Sequence, residues 1–171
     1  MKGTVIYDIS TGNTKKIAEV IAETLRESEI ESDLFYVRDA KKLNAKDYSF
    51  MILGSSTRFG TMSFAVKSFL GKIKSEDWMN KPFATFDTEN PENVEKSRAE
   101  NKNWIAAEKI AEKLKEKRMR QLLPVLTTLV EAKLKGMLLE GEVDTAKDYA
   151  KQLATKLKMD ELSLKTDIST N

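Results

Sequence analysis

Five small polar residues stand in a row at Ser10, Thr11, Gly12, Asn13 and Thr14, between an apolar run and a helical pattern. A turn needs fewer hydrogen-bonding groups than this. Ser10, Thr11 and Thr14 bring hydroxyls, and Gly12 has no side chain to block backbone approach. The N–H groups of Gly12, Asn13 and Thr14 fall at a helix start, where the helix dipole favours an anion. No Lys or Arg lies in the run, although Lys15 and Lys16 follow it. A mononucleotide phosphate would therefore be held by neutral donors. The GxxxxGK[ST] spacing of a P-loop is missing. The same residues also suit a well-capped helix start, and this run alone leaves the two readings level.

Two further stretches bear on the choice. "LGSSTRFGTMSFAVKSFL" sets Ser55, Ser56, Thr57, Arg58, Phe59 and Gly60 between a buried strand and an amphipathic helix. An exposed phenylalanine beside glycine, threonine and arginine suits a planar aromatic ligand, since the ring can stack on it. Taken alone, the stretch reads more simply as Phe59 in the core and Arg58 as a solvated charge. After "KPFATF" come Asp87, Thr88 and Glu89. Asp87 would sit at a strand end, where it can face a site or cap a turn.

These residues need a frame that brings three loops together. Five apolar runs supply strands: Thr4 to Ile9, Asp33 to Val37, Ser49 to Leu53, Pro82 to Phe86 and Val125 to Val130. Stripes of helical spacing alternate with them: Ile17, Ile21, Leu25; then Ala65, Phe69, Ile73; then Trp104, Ala107, Ala111, Leu114; then Val143, Ala146, Ala150, Leu153, Leu157. Ser97 and Glu100 have capping-box spacing and predict the start of the third helix. "TENPEN" before it reads as a surface loop, and Asp39 to Asp47 as a short helix or loop. Strands alternating with helices predict an α/β fold with a parallel sheet covered on both faces. Ligands of such sheets bind beyond the carboxyl ends of the strands.

Composition narrows the chemistry. The chain has 171 residues, 40% hydrophobic and 33% charged, which suits one domain with a real core. With 29 basic and 27 acidic residues, the net charge of +2 gives no argument for nucleic acid. There is no cysteine and no histidine. Thiolate and Ser-His-Asp catalysis, and most zinc sites, are thereby excluded. "MKGTVIYD" meets an acid too soon for a signal peptide, and no apolar run approaches the roughly 20 residues of a spanning helix. The expectation is a cytoplasmic protein. Trp78 and Trp104 read as core or rim residues. The basic run Lys113, Lys115, Lys117, Arg118, Arg120, interleaved with Glu112 and Glu116, reads as a solvated helix end.

Taken together, "DISTGNT", "GSSTRFG" and "FATFDTE" resemble the three FMN-binding loops of flavodoxin-like proteins, above all archaeal flavodoxins and the FMN domains of A-type flavoproteins. "TRFG" is also similar to the quinone reductases related to the tryptophan-repressor-binding protein. "KLKGMLLEGEVDTAKDYAKQLA" resembles the region before the family's last helix. The likeness runs from about residue 2 to residue 157. It implies a doubly wound, five-stranded parallel sheet of order 2-1-3-4-5, formed by residues 1–159 as one domain with a polar tail at 160–171.

The resemblance also assigns residues. Ser10, Thr11, Gly12, Asn13 and Thr14 would hold the FMN phosphate. Ser56, Thr57, Arg58, Phe59 and Gly60 would lie along the isoalloxazine. Asp87, Thr88 and Glu89 would border the ring or ribityl chain, where acids would lower the potential of the last electron step. Four positions depart from the family pattern. Ile9 replaces Ser or Thr, Ser56 replaces proline, Met137 stands where proline is common, and the third loop lacks a shielding Tyr or Trp. The implied function is an electron carrier between protein redox partners, as a monomer or weak homo-oligomer. The alternatives are an FMN-dependent NAD(P)H:quinone-type oxidoreductase and a flavin-free interaction module.

Overall fold

The computed structural model describes residues 1–8, 12–132 and 136–169, with side chains as far as residue 163. Six strands are formed: β1 (Lys2–Tyr7), β2 (Glu31–Tyr36), β3 (Phe50–Ser56), β4 (Pro82–Glu89), β5 (Arg120–Gln121) and β6 (Leu126–Leu129). All pairings are parallel, in the order β2-β1-β3-β4, with the far edge of β4 shared by β5 and β6. The expected order 2-1-3-4-5 is thus present. The expected fifth strand is β6, and β5 is an additional two-residue strand beside Pro82 and Phe83. Between β5 and β6 the chain leaves the sheet at Pro124, which has no N–H to give it.

The helices are α1 (Asn13–Glu27), α2 (Phe64–Lys72), α3 (Ser75–Trp78), α4 (Pro91–Ala99), α5 (Ala106–Glu116) and α6 (Glu142–Ser169). Side chains alternate across a strand, so Val5 and Tyr7 face one way and Ile6 the other. On one face Val5, Ile52, Ala84 and Phe86 pack against α1 and α6 through Ile17, Ile21, Leu25, Ala150, Leu153 and Leu157. On the other, Ile6, Met51, Leu53 and Phe83 meet Val66, Phe69 and Leu70 of α2 and Ile110 and Leu114 of α5. Both faces are therefore dry, as a parallel sheet requires. Ala146, Ala150 and Ala154 bring α6 close to its neighbours. Gly54 is set by a similar closeness: a Cβ there would stand 2.1 Å from the Phe86 ring.

Several boundaries differ from the sequence expectation. Asp39–Lys42 and Ala45–Asp47 form two short 3₁₀ turns. Strands β3 and β4 run further than their apolar cores, so Ser55, Ser56, Asp87, Thr88 and Glu89 lie in strands rather than loops. Their backbones continue the ladder, with Ser55 opposite Asp87 and Ser56 opposite Thr88. "TENPEN" is not a surface loop. Asn90 caps α4 by accepting from the Glu92 N–H at 2.9 Å, and Pro91 opens the helix. Ser97 lies inside α4 and starts nothing. Its hydroxyl donates to the Lys102 carbonyl and accepts from the Trp104 N–H, fixing the turn that follows. The segment after Met159 continues α6 as backbone helix through Ser169. Among the described residues, no helix is long and apolar enough to cross a membrane, and no cluster of acids suits a metal.

Candidate functional site

The carboxyl ends of β1, β3 and β4 lie side by side, and the three stretches singled out by residue type meet there. The Asp8 N–H donates to the Gly54 carbonyl at 3.2 Å, which joins the end of β1 to β3. Ile9, Ser10 and Thr11 lie outside the described residues. Gly12 precedes α1 with φ +90°, in the left-handed region that favours glycine. Among the described residues no side chain caps α1, and a Cβ on Gly12 would meet no atom within 4 Å. The helix thus opens with its first-turn N–H groups beside a backbone that carries no bulk.

The two side chains that follow turn to other tasks. The Asn13 amide donates to the Gly136 carbonyl at 2.7 Å, tying the start of α1 to the chain after β6. Thr14 is fully buried, and its hydroxyl shares a 2.8 Å hydrogen bond with the Thr88 hydroxyl. Of the residues expected to hold an anion by their side chains, Thr14 faces the core.

The second stretch divides into a buried half and an exposed half. The Ser55 hydroxyl donates to the Ser56 carbonyl and accepts from the Ser63 N–H, both at 3.0 Å. The Ser56 hydroxyl is buried without a protein partner. Thr57 is the hinge between the halves. Its N–H donates to the Thr88 carbonyl at 3.1 Å, and its hydroxyl donates to the Asp87 carboxylate at 2.8 Å. Beyond it, Arg58 and Thr61 exchange backbone hydrogen bonds of 2.9 and 3.0 Å around a tight turn. Phe59 and Gly60 occupy its centre with φ of +49° and +69°. A bulky residue rarely adopts such a backbone. Here the turn holds the Phe59 ring fully in solvent rather than in the core.

Opposite that turn stands Trp104. A Cβ on Gly60 would lie 3.1 Å from its indole, so the ring packs directly on the glycine. Lys96 and Lys102 sit over the same indole at 5.3 and 5.0 Å from the ring centre. The Lys109 ammonium donates to the Gly60 carbonyl from the side. The sequence reading placed Trp104 on a helical stripe and saw no aromatic in the third loop. The structure corrects the first point. Trp104 precedes α5, and the chain after β4 reaches it only after the detour through α4. The Asn90–Pro91 pair was the available signal, because a cap followed by proline at the first helical position marks a helix.

Asp87 and Glu89 share one face of β4, and that face lies under α5 rather than toward the Phe59 turn. Asp87 is fully buried. Its Oδ2 accepts from Thr57 at 2.8 Å and, at 3.4 Å, from the Ala107 N–H in the first turn of α5. The Thr57 hydroxyl itself accepts from the Ala106 N–H at 2.9 Å. The cap of α5 thus comes from residues far away in sequence, which explains why no local capping signal marks its start. Burial pushes the Asp87 carboxyl up to about 6, against hydrogen bonds from Thr57, Thr127 and Ala107 that hold it down. Glu89 accepts from the Asn90 N–H at 2.6 Å and from the Asn93 amide at 3.0 Å. Burial also raises its pKa.

Comparison with known proteins bears on the fold and the family. A family model described as a flavodoxin domain matches residues 4–147. A flavodoxin from Aquifex aeolicus is 39% identical over 75 residues, which is 43% of this chain and 40% of that protein. The match therefore spans less than half the length of that relative. Among solved structures, a flavodoxin from the domain Archaea superposes with a TM-score of 0.74 at 24% identity, covering 92% of this chain and 99% of that one. Flavodoxin 1 from Bacillus cereus gives 0.70 at 19% identity, covering 91% and 98%. The rubredoxin oxygen:oxidoreductase of Desulfovibrio gigas gives 0.70 at 19% identity, covering 92% of this chain and 36% of that one. At these identities the superpositions speak for the fold, and the family model extends over most of the sequence. By family model, and in keeping with its fold, this chain belongs to the flavodoxin domain family.

Proposed function

We propose that this protein binds FMN beyond the carboxyl ends of β1, β3 and β4 and carries electrons between protein partners. The observation that carries the reading is the solvent-held Phe59 turn, backed by Trp104 and set at the same strand ends as the glycine-led start of α1. The donor set fits a phosphate monoester on a flat aromatic head. Backbone N–H groups of Gly12, Asn13 and Thr14, with the hydroxyls of Ser10 and Thr11, hold the phosphate. Arg58, Phe59, Gly60 and Trp104 line the ring and limit water around it. Ser56, Thr57, Asp87, Thr88 and Glu89 act from behind: they fix the second loop and the start of α5 in position.

FMN supplies the one- and two-electron chemistry that a chain without cysteine or histidine lacks. No side chain of the site needs to act as a base. The residues described above bind, orient and shield, and the partners are soluble redox proteins of the same compartment, the cytoplasm.

The test is the visible spectrum after adding FMN and desalting. We expect two flavin bands to stay with the protein and Trp104 fluorescence to fall as FMN is added. In W104L most of that quench disappears and FMN binds about tenfold more weakly, the scale of one lost aromatic stack. A colourless protein after desalting would overturn the reading. Bleaching of the bound flavin by NADPH alone would replace the carrier with a reductase.

A further inference from the structure

A second surface adjoins this site on the side away from Trp104. A groove of about 590 Å³ runs between the Arg58–Thr61 turn, the Asp39–Lys42 turn and the start of α2. Two phenylalanines rim it: Phe59, fully exposed, and Phe64, 85% exposed. Large apolar side chains in water are ordinary when single and informative when they share one patch. Aromatic residues are also enriched where proteins meet.

The charge around these rings is one-sided. Residues 36–42 and 58–68 hold five cations, Arg38, Lys41, Lys42, Arg58 and Lys67, against one acid, Asp39. The whole chain has an excess of only two. Asp8 also lines the groove but is buried at its foot. Some surface cations elsewhere are paired, as are Lys15 with Glu19 at 3.5 Å and Lys113 with Glu116 at 2.8 Å. Among the described residues, Arg38 and Lys41 have no ion pair; Arg38 lies 6.0 Å from the centre of the Tyr36 ring.

We propose that this groove is a docking surface for an acidic protein whose contact patch has an apolar centre. Phe59 and Phe64 supply the buried contact, and the surrounding cations steer the partner and fix its orientation. The inference rests on the FMN reading in one respect: Phe59 belongs to both surfaces, so a partner docked here stands against the flavin loop.

Two acidic redox proteins, soluble cytochrome b5 and a plant-type ferredoxin, serve as probes, with basic cytochrome c as the opposite-charge control. Binding is read by calorimetric titration at about 20 mM and about 300 mM ionic strength, where screening differs strongly. We expect saturable binding of the acidic probes, at least tenfold weaker at high salt, and none of cytochrome c. R38E/K41E weakens the low-salt binding at least tenfold. F64S weakens it at both salt concentrations. Both variants keep the unfolding midpoint and the flavin bands of the parent. The proposal is overturned if neither acidic probe binds at low salt, if cytochrome c binds as well, or if R38E/K41E changes nothing. Arg38- and Lys41-dependent binding to phosphatidylserine vesicles, with no binding of the acidic proteins, would assign the surface to lipid instead. Docking that persists in a protein unable to hold FMN would sink only the flavin reading.

Discussion

The Asp87 carboxyl is enclosed by protein, and the charge that acts on it most is another acid, Glu89. Its hydrogen bonds to Thr57 and to the first turn of α5 favour the ionised form, yet burial wins and lifts the pKa from 3.8 to about 6. The sign of the linked stability follows. As pH rises past about 4, the unfolded chain releases this proton first, while the folded chain keeps it until about 6. Folding stability due to this group is therefore greatest in acid and falls across that window, by about 3 kcal/mol for a shift of this size. Urea unfolding of the flavin-free protein between pH 4.5 and 7.5 should show this decline. In D87N the slope should shrink, leaving a remainder from Glu89, whose pKa is raised in the same direction. An unchanged slope would place the titrating group elsewhere. The family resemblance puts Asp87 beside the ring, and in the fold its carboxylate also positions Thr57 and the first turn of α5.

Helix α1 is fixed to β4 by the Thr14–Thr88 pair, two buried hydroxyls from elements that are not neighbours in the chain. Replacing one threonine by valine keeps the shape and leaves the other hydroxyl without its partner. T14V and T88V should each cost about 1–3 kcal/mol, and the double variant less than their sum. A strictly additive cycle, measured by urea unfolding, would show that the two hydroxyls do not depend on each other. The pair also marks the limit of what residue order reveals. The stripes Ile17, Ile21, Leu25 and Ala146, Ala150, Leu153, Leu157 pack as their spacing demands, because an amphipathic helix has one way to bury its apolar side. The ends of β3 and β4 were harder to read, since their last residues are polar and only the parallel register with a partner strand keeps them extended. The start of α5 could not be read locally, because Thr57 and Asp87 supply its cap from across the sheet. Trp104 was hidden for the same reason: its place is set by where α4 returns the chain.

At the scale of the whole molecule, Leu157 is the last described residue of α6 that enters a core. Among the described residues, its buried side chains are Ala146, Ala150, Leu153, Ala154 and Leu157, all before Met159. Beyond them, Asp160 meets Arg120 at 2.7 Å and Glu161 lies 3.8 Å from the amino terminus of Met1. Surface pairs of this kind contribute about 0–1 kcal/mol each. We expect a chain ending at Met159 to fold with the same strand order and to lose less than about 2 kcal/mol, measured by urea unfolding. Collapse of that shortened chain would show that residues 160–171 belong to the domain. The far edge of the sheet is divided. β5 covers only the first two residues of β4 and β6 only the last four, with Pro124 between them. An incoming extended segment from another molecule finds there two short, offset stubs instead of one straight ladder of free N–H and C=O groups. The break between β5 and β6 thereby guards that edge against aggregation.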